Sequence, residues 1–179
     1  MIEIEKKYRL TKQQRDHVVR RLRDVGARVV RSEEFEENTL YSGGTLQRGT
    51  SVLRLRRAGE RALLTYKERY PGSSAIKRQR EEETEIADVE AMQAILEALG
   101  FTPVLVYEKR RETWCFREVE VVIDELSFGL FMEIEGEEKE IEAAERELGI
   151  DGFPAEHSTY PQLATENGRR VGEVIEARF

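Results

Sequence analysis

The stretch Leu53-Arg54-Leu55-Arg56 decides the fold. Alternation with a period of two marks a β-strand, because successive side chains leave a strand on opposite faces. Arg54 and Arg56 therefore share one face, and Leu53 and Leu55 the other. Working outward, the same sorting recurs along the chain. Glu3, Glu5 and Lys7 lie opposite Ile2 and Ile4, and Thr65 and Lys67 lie opposite Leu64 and Tyr66. Lys109 and Arg111 share a face, Asp124 stands opposite Ile123, and Glu133 and Glu135 stand opposite Met132 and Ile134. Strands are predicted over residues 2–9, 51–57, 61–68, 76–86, 104–116, 118–125 and 130–136. Turns such as Ala58-Gly59-Glu60 and Pro71-Gly72-Ser73-Ser74 separate them.

The period changes to that of a helix in three places. Thr11 can cap a helix running to Val25, with Val18, Val19, Leu22 and Val25 as its apolar stripe and Gly26 as its stop. A second helix is predicted from Asp88 to Leu99 and a shorter third from Glu140 to Leu148. Strand, helix, several strands, helix and several more strands make an α+β order dominated by antiparallel pairing. Ser158-Thr159-Tyr160-Pro161 can start a further helix, with proline tolerated in its first turn. The reading is one domain over residues 1–165, followed by a C-terminal helix or tail over 166–179.

Composition narrows the function classes. The chain has 179 residues, 39% hydrophobic and 36% charged, enough for one core. No window approaches 18 consecutive apolar residues, so no transmembrane helix is expected. The start, Met1-Ile2-Glu3-Ile4-Glu5-Lys6-Lys7, is charged where a signal peptide is apolar, which sets the expectation of a cytoplasmic protein with no membrane partner. Cys115 is the sole cysteine, so neither a disulfide framework nor a Cys-rich zinc site is expected. His17 and His157 are too few for a multi-histidine metal site. A net charge of −7 argues against non-specific binding to nucleic acid.

The segregation of charge is more telling than its sum. The bland reading of each charged face is the solvated side of an ordinary sheet. Repeated on seven predicted strands, it leaves too few apolar inward positions unless helices cover the outside. The alternative is a barrel whose apolar face packs outward on helices and whose charged face lines a wet lumen, where ions stay hydrated or paired. Carboxylates at i and i+2 can share a divalent cation, and oxygen ligands favour Mg²⁺ or Mn²⁺ over zinc. Arginine and lysine on facing strands supply donors to several phosphate oxygens. Metal plus cations is what a triphosphate requires. Gly43-Gly44 lacks the G-K-[ST] of a Walker loop.

With these pieces in order, the sequence resembles the CYTH superfamily of triphosphate tunnel metalloenzymes, which includes class IV adenylyl cyclases, thiamine triphosphatases and inorganic triphosphatases. The resemblance spans about residues 2–163 and rests on the ordered set: Glu3-x-Glu5-x-Lys7, Leu53-Arg54-Leu55-Arg56, Leu64-Thr65-Tyr66-Lys67-Glu68, the acidic run Arg80 to Glu85, Lys109-Arg110-Arg111, Val122-Ile123-Asp124 and Phe131-Met132-Glu133-Ile134-Glu135-Gly136. It implies an eight-stranded antiparallel tunnel with helices packed outside, working with Mg²⁺ or Mn²⁺. By the same resemblance Glu3, Glu5, Asp124, Glu133 and Glu135 hold metal, and Arg54, Arg56, Lys67, Lys109 and Arg111 grip phosphates. Lys7, at the metal–phosphate boundary, and Tyr41 take the catalytic places, although Ser42-Gly43 follows Tyr41 where the family often has Phe/Tyr-Asp. Parity alone does not separate Glu81, Glu83 and Glu85 from Glu82, and an inward Arg80–Glu82 pair is the expectation for substrate binding.

The implied partner is a small triphosphate: ATP, tripolyphosphate or thiamine triphosphate, bound by a monomer or homodimer. The spacing from Lys109 through Glu133–Glu135 to Ser158-Thr159-Tyr160 looks more like the class IV cyclase branch. Hydrolysis of an inorganic or thiamine triphosphate is the alternative, and a non-catalytic polyphosphate receptor the competing class. Five carboxylates argue against a pure anion receptor, and an apolar-lumen carrier barrel does not fit a charged lumen. His17, His157, Trp114 and Cys115 read as surface or packing residues.

Overall fold

Alternation becomes closure in three dimensions. The computed structural model describes residues 2–47, 49–70 and 75–179. Its elements in chain order are β1 (Ile2–Leu10), α1 (Lys12–Asp24), β2 (Arg28–Ser42), β3 (Ser51–Ala58), β4 (Arg61–Arg69), β5 (Ile76–Glu85), α2 (Val89–Ala98), β6 (Thr102–Phe116), β7 (Val119–Leu126), β8 (Gly129–Glu135), α3 (Glu138–Leu148), α4 (Tyr160–Asn167), β9 (Arg169–Val171) and β10 (Val174–Ala177). The strands run β2-β3-β4-β5-β1-β8-β7-β6, and β2 pairs back onto β6 to close an eight-stranded barrel. Every pair in that ring is antiparallel. This is the expected α+β barrel with helices outside.

Helix limits follow local chemistry. Thr11 and Gln14 form a reciprocal capping box at the start of α1, and Thr159 and Gln162 do the same for α4, with Pro161 in its first turn. Gly149 ends α3 in the left-handed conformation at φ 68°. The apolar face of the barrel points outward. Tyr8, Val121, Ile123, Met132 and Ile134 pack under Val18, Val19 and Leu22 of α1 and Ile141, Ala144 and Leu148 of α3. A smaller cluster of Tyr41, Leu55 and Leu96 lies beneath α2. Tyr8 donates its phenolic proton to Glu145 of α3, which also pairs with Lys6. No helix among the described residues is long and apolar enough to cross a membrane.

Two segments depart from the sequence reading. Residues 28–42 form the long strand β2, which no prediction covered. Its first half is exposed, and the run Glu33-Glu34 to Glu36-Glu37 buries the alternation in uniform charge. The segment expected as a C-terminal helix or tail is a hairpin instead. β9 and β10 pair across Gly172, whose φ of 62° suits a tight turn, and β10 lies parallel to β6 at Leu105–Tyr107. It occupies the edge of β6 that β7 uses further on, at Lys109–Phe116. The turn expected at Pro71-Gly72-Ser73-Ser74 lies outside the described residues.

If the hydrophobic core lies outside the barrel, shortening a fully buried helix residue must cost as much as a mutation in an ordinary core. Ile141→Ala is expected to lower stability by about 2–5 kcal/mol while leaving the lumen intact. Urea unfolding measures it, and a loss under about 1 kcal/mol places the apolar core elsewhere.

Candidate active site

A cavity of about 1440 Å³ runs through the barrel, lined from β1 to β8 by the polar face of each strand. Its two ends differ. At one, the start of β1 and the end of β8 bring Glu3 and Glu135 to a mouth shared with Glu81 and Glu120. At the other, α4 and the β9–β10 hairpin meet the ends of β2, β3 and β6. Between the two lie most of the expected residues, brought together from six strands: Glu5, Lys7, Arg54, Arg56, Lys67, Lys109, Arg111, Asp124 and Glu133.

The cations of the middle are mostly tied to acids across the lumen. Arg111 holds Asp124 through both nitrogens, Nε at 2.7 Å and Nη2 at 2.6 Å, and Nη2 also reaches Glu133 at 3.0 Å. Lys109, fully buried, sits 3.3 Å from Glu36 and 3.6 Å from Asp124. Lys7 lies 3.2 Å from Glu133 and over the ring of Tyr160, whose hydroxyl donates to Asp124 at 2.7 Å. Lys67 bridges Glu3 at 2.8 Å and Glu81 at 2.7 Å. Burial alone raises a carboxylate, yet here Arg111 and Lys109 hold Asp124 well below its usual range. Glu36 is likewise held at about 2, burial being outweighed by Lys109, Arg111 and Arg56.

Elsewhere the pairing fails, in opposite senses at two places. Glu5 is raised by burial and by Glu133, and at the acidic end Glu3 is raised by burial and by its contact with Glu81. Glu135, the most open of the five expected ligands, is still pushed up to about 8 by partial burial and by Glu3. In the cationic middle the excess is positive. Lys109 falls to about 8 through burial and Arg111, and Lys77 to about 8 through burial and Lys7. Among the described residues, Arg54 Nε and Asn38 Nδ2 are buried donors without an acceptor.

Not every expectation meets in the lumen. Tyr41 borders the cavity but packs with Leu55 and Leu96 beneath α2, where its phenol meets Gln93 of that helix rather than Lys7. Arg80 and Glu82 pair at 3.2 Å on the outside, with side chains 52% and 56% exposed. The reason is parity: Lys77 and Gln79 are buried and meet Glu5 and Glu3, Glu81 meets Lys67 and Glu83 meets Thr65, so these four take the inner face of β5 and Glu82 reaches only the rim of the cavity. Gln79 donates to Glu3 at 2.7 Å, and Thr65 to Glu83 at 2.7 Å. Sequence reasoning also missed Glu36 and Asn38, because β2 itself was missed, although their spacing of two was the available signal. Tyr160 carried no such signal, since it enters the lumen from a helix start.

A divalent cation fits the donor set, as hard oxygen ligands short of positive charge. Glu5 and Glu135 have that deficit, with Lys77 standing 3.8 Å from Glu5. Asp124, Glu133 and Glu3 are committed to cations as they stand, and among the described residues no three acidic side chains converge tightly enough to enclose an ion.

Known proteins share this architecture. The family model described as the CYTH domain matches residues 1–153. A Methanocaldococcus jannaschii protein provisionally named an adenylate cyclase is 32% identical over 139 residues, which cover 75% of this chain and 77% of that one. A solved Pyrococcus horikoshii protein superposes with a TM-score of 0.77 at 24% identity, covering 90% of this chain and 98% of its own. A Hippeastrum protein, described as an adenylyl cyclase candidate with a dominant triphosphatase activity, superposes at 0.64 with 19% identity, covering 96% and 98%.

The raised Glu135 has a consequence for stability. A carboxyl pushed from 4.5 to about 8 in the folded state costs stability once the unfolded chain ionises, so the cost grows above pH 4.5 and levels off above pH 8. In metal-free protein, Glu135→Gln is therefore expected to raise Tm at pH 8.5, with no gain at pH 4. Discounted for screening at an open mouth, the gain is about 1 kcal/mol, or roughly 3 °C. Thermal melts of parent and variant at the two pH values check this, and an equal Tm at pH 8.5 refutes the crowding.

Proposed function

The chain belongs to the CYTH domain family, and from that premise we propose that it is a divalent-metal-dependent enzyme acting on a triphosphate, converting ATP to cyclic AMP and pyrophosphate. One observation carries the reading. The same lumen holds carboxylates short of positive charge, Glu5 and Glu135, and a crowd of cations, Arg54, Arg56, Lys109 and Arg111, of which Arg54 keeps a buried Nε without an acceptor among the described residues. A metal–triphosphate complex satisfies both deficits at once, and neither a metal nor an anion alone does so.

In this reading Arg54, Arg56, Lys109 and Arg111 bind the phosphate oxygens and offset the charge that gathers on departing pyrophosphate. Glu5 and Glu135, with Glu3, Asp124 and Glu133 around them, hold Mg²⁺ or Mn²⁺, which when bound supplies Lewis-acid polarisation of phosphate oxygen. Lys7 joins the two groups, since it pairs with Glu133 while facing the cavity. Glu36 orients Arg56 and Lys109, 3.3 Å from each. Attack of a ribose 3′-oxygen on the α-phosphorus then gives the cyclic product. Hydrolysis is the second reading, favoured by the triphosphatase activity described for the Hippeastrum protein of the same fold.

Incubation with ATP, tripolyphosphate and thiamine triphosphate, each with Mg²⁺ or Mn²⁺, separates the readings by product. Cyclic AMP supports cyclisation, and free phosphate supports hydrolysis. No turnover with any pair, or turnover undiminished by chelator, overturns the proposal. Glu133→Gln is expected to abolish turnover. Arg56→Ala is expected to lower kcat/KM by about 2–5 kcal/mol, the range for truncating one partner of a buried charge pair, with Arg56→Lys intermediate because a point charge cannot replace a planar fork. Values within a few-fold of the parent for all three variants remove the lumen from the chemistry.

A further inference from the structure

Asp124 lies inside the strand ring yet behind the surface of the cavity. It is fully buried and does not line the void, whereas Glu5, Glu133 and Glu135 do. Arg111, Lys109 and Tyr160 cover it, and each of these three lines the cavity. Arg111 donates Nε to Oδ1 at 2.7 Å and Nη2 to Oδ2 at 2.6 Å, and the Tyr160 hydroxyl donates to Oδ2 at 2.7 Å. A carboxylate has about four lone-pair sites, and the two on Oδ2 are thereby filled. A cation in the cavity reaches this oxygen only by breaking a charge-assisted hydrogen bond under cover. Arg111, in contrast, keeps Nη1 without an acceptor among the described residues, on a side chain that lines the cavity. Tyr160 is itself firmly seated. It follows the cap Thr159 as the first residue of α4, packs on Phe131 with ring centroids 5.5 Å apart, and carries Lys7 over its ring at 3.8 Å.

We propose that Tyr160 is a positioning residue for the phosphate half of the lumen. With Arg111 it saturates Asp124, which is thereby withdrawn from metal binding and fixes the Arg111 guanidinium with Nη1 left for a phosphate oxygen. This rests on the triphosphate reading and moves Asp124 from its metal half to its phosphate half. Metal then falls to the carboxylates that line the cavity, Glu5 and Glu135 foremost. The chemistry of the parts supports this division. A guanidinium gripped through two nitrogens by a buried carboxylate is held in one plane. A phenol adds a donor to that carboxylate without adding charge, so the pair stays satisfied beside an entering polyanion. The phenol comes from α4, beyond residue 153 where the matched family region ends, whereas Arg111 and Asp124 lie within that region.

Calorimetric titration with inorganic tripolyphosphate under chelator isolates the phosphate half, because no metal is present and nothing turns over. Tyr160→Phe keeps the ring and removes only the hydroxyl, and it should weaken binding about three- to ten-fold. Asp124→Asn should weaken it by at least about ten-fold, although it deletes a negative charge beside an anion site. A metal ligand predicts the opposite sign, and Glu135→Gln, as the contrast, should bind at least as tightly as the parent. In an Arg111→Ala background Tyr160→Phe should add less than about two-fold, because it acts through that guanidinium. In turnover, Tyr160→Phe should raise KM for the triphosphate and leave the Mn²⁺ concentration for half-maximal rate within about two-fold. Circular dichroism melts confirm folding, and Tyr160→Phe alone decides the matter if Asp124→Asn does not fold. Unchanged or tighter binding by either variant, a full Tyr160→Phe effect without Arg111, or a larger shift in the Mn²⁺ requirement overturns the positioning role and leaves the triphosphate reading standing. Binding by the parent only when Mn²⁺ is added does the same. Binding by the parent under neither condition overturns both.

Discussion

A charge taken out of water has to be paired or kept wet, and that requirement turns this barrel inside out. Filling the lumen with the leucines and isoleucines of β1, β3, β7 and β8 would have put Glu3, Glu5, Lys7, Arg54 and Glu133 on the surface and needed no helices. With the polar face inward, the apolar face is what needs covering. Helices α1 and α3 do so on one side, with Val18, Leu22, Ile141 and Leu148 fully buried against β1, β7 and β8. The capping box of α1 and the left-handed Gly149 after α3 set where those covers begin and end. Stability therefore resides in the outer layer, and the lumen is left free to be chemically awkward.

Most of that design is legible from residue order, for a physical reason. A strand flanked by water on one side and helices on the other must alternate, and Leu53-Arg54-Leu55-Arg56 cannot hide it. What fails to show is what lacks contrast. β2 begins in a half-exposed ribbon and carries Glu33, Glu34, Glu36 and Glu37, so inward Glu36 looks like its neighbours. The acidic run of β5 has the same difficulty, and only its pairing with β1 and β4 turns Glu81 inward and Glu82 out. Tyr41 misleads in another way: a bulge between Leu40 and Tyr41 and the approach of α2 place it beneath a helix.

The C-terminal residues show how a weak local signal is rescued by tertiary contacts. Three-residue β9 and four-residue β10 have little propensity to persist alone. They hold because β10 adds to an edge of β6, and because Arg178 reaches Glu37 and Glu108 on two neighbouring strands. Phe179 then lies against Phe35 with Arg110 over its ring. Fixing the hairpin fixes α4, packed against β10 through Ala164 and Gly168. α4 in turn sets Tyr160, which reaches Asp124 in the lumen from outside the strand ring.

The two charge deficits then explain each other. If the lumen were fully self-paired, its acids and bases would neutralise one another and a ligand would have to break those pairs to enter. Here Arg111 and Asp124 are so paired. Glu135 and Glu5 stay crowded, raised by burial and by Glu3 and Glu133 respectively, while Lys109 loses basicity to burial and to Arg111. Each group is raised in energy by the burial and like charge that the barrel enforces, and each is relieved by the opposite half of a metal–polyphosphate complex. Tunnel closure keeps the two halves from relaxing toward one another, since the strands that carry them are held in register on both edges. The cost of folding such a lumen is thereby returned as binding energy only when both halves of the ligand arrive together.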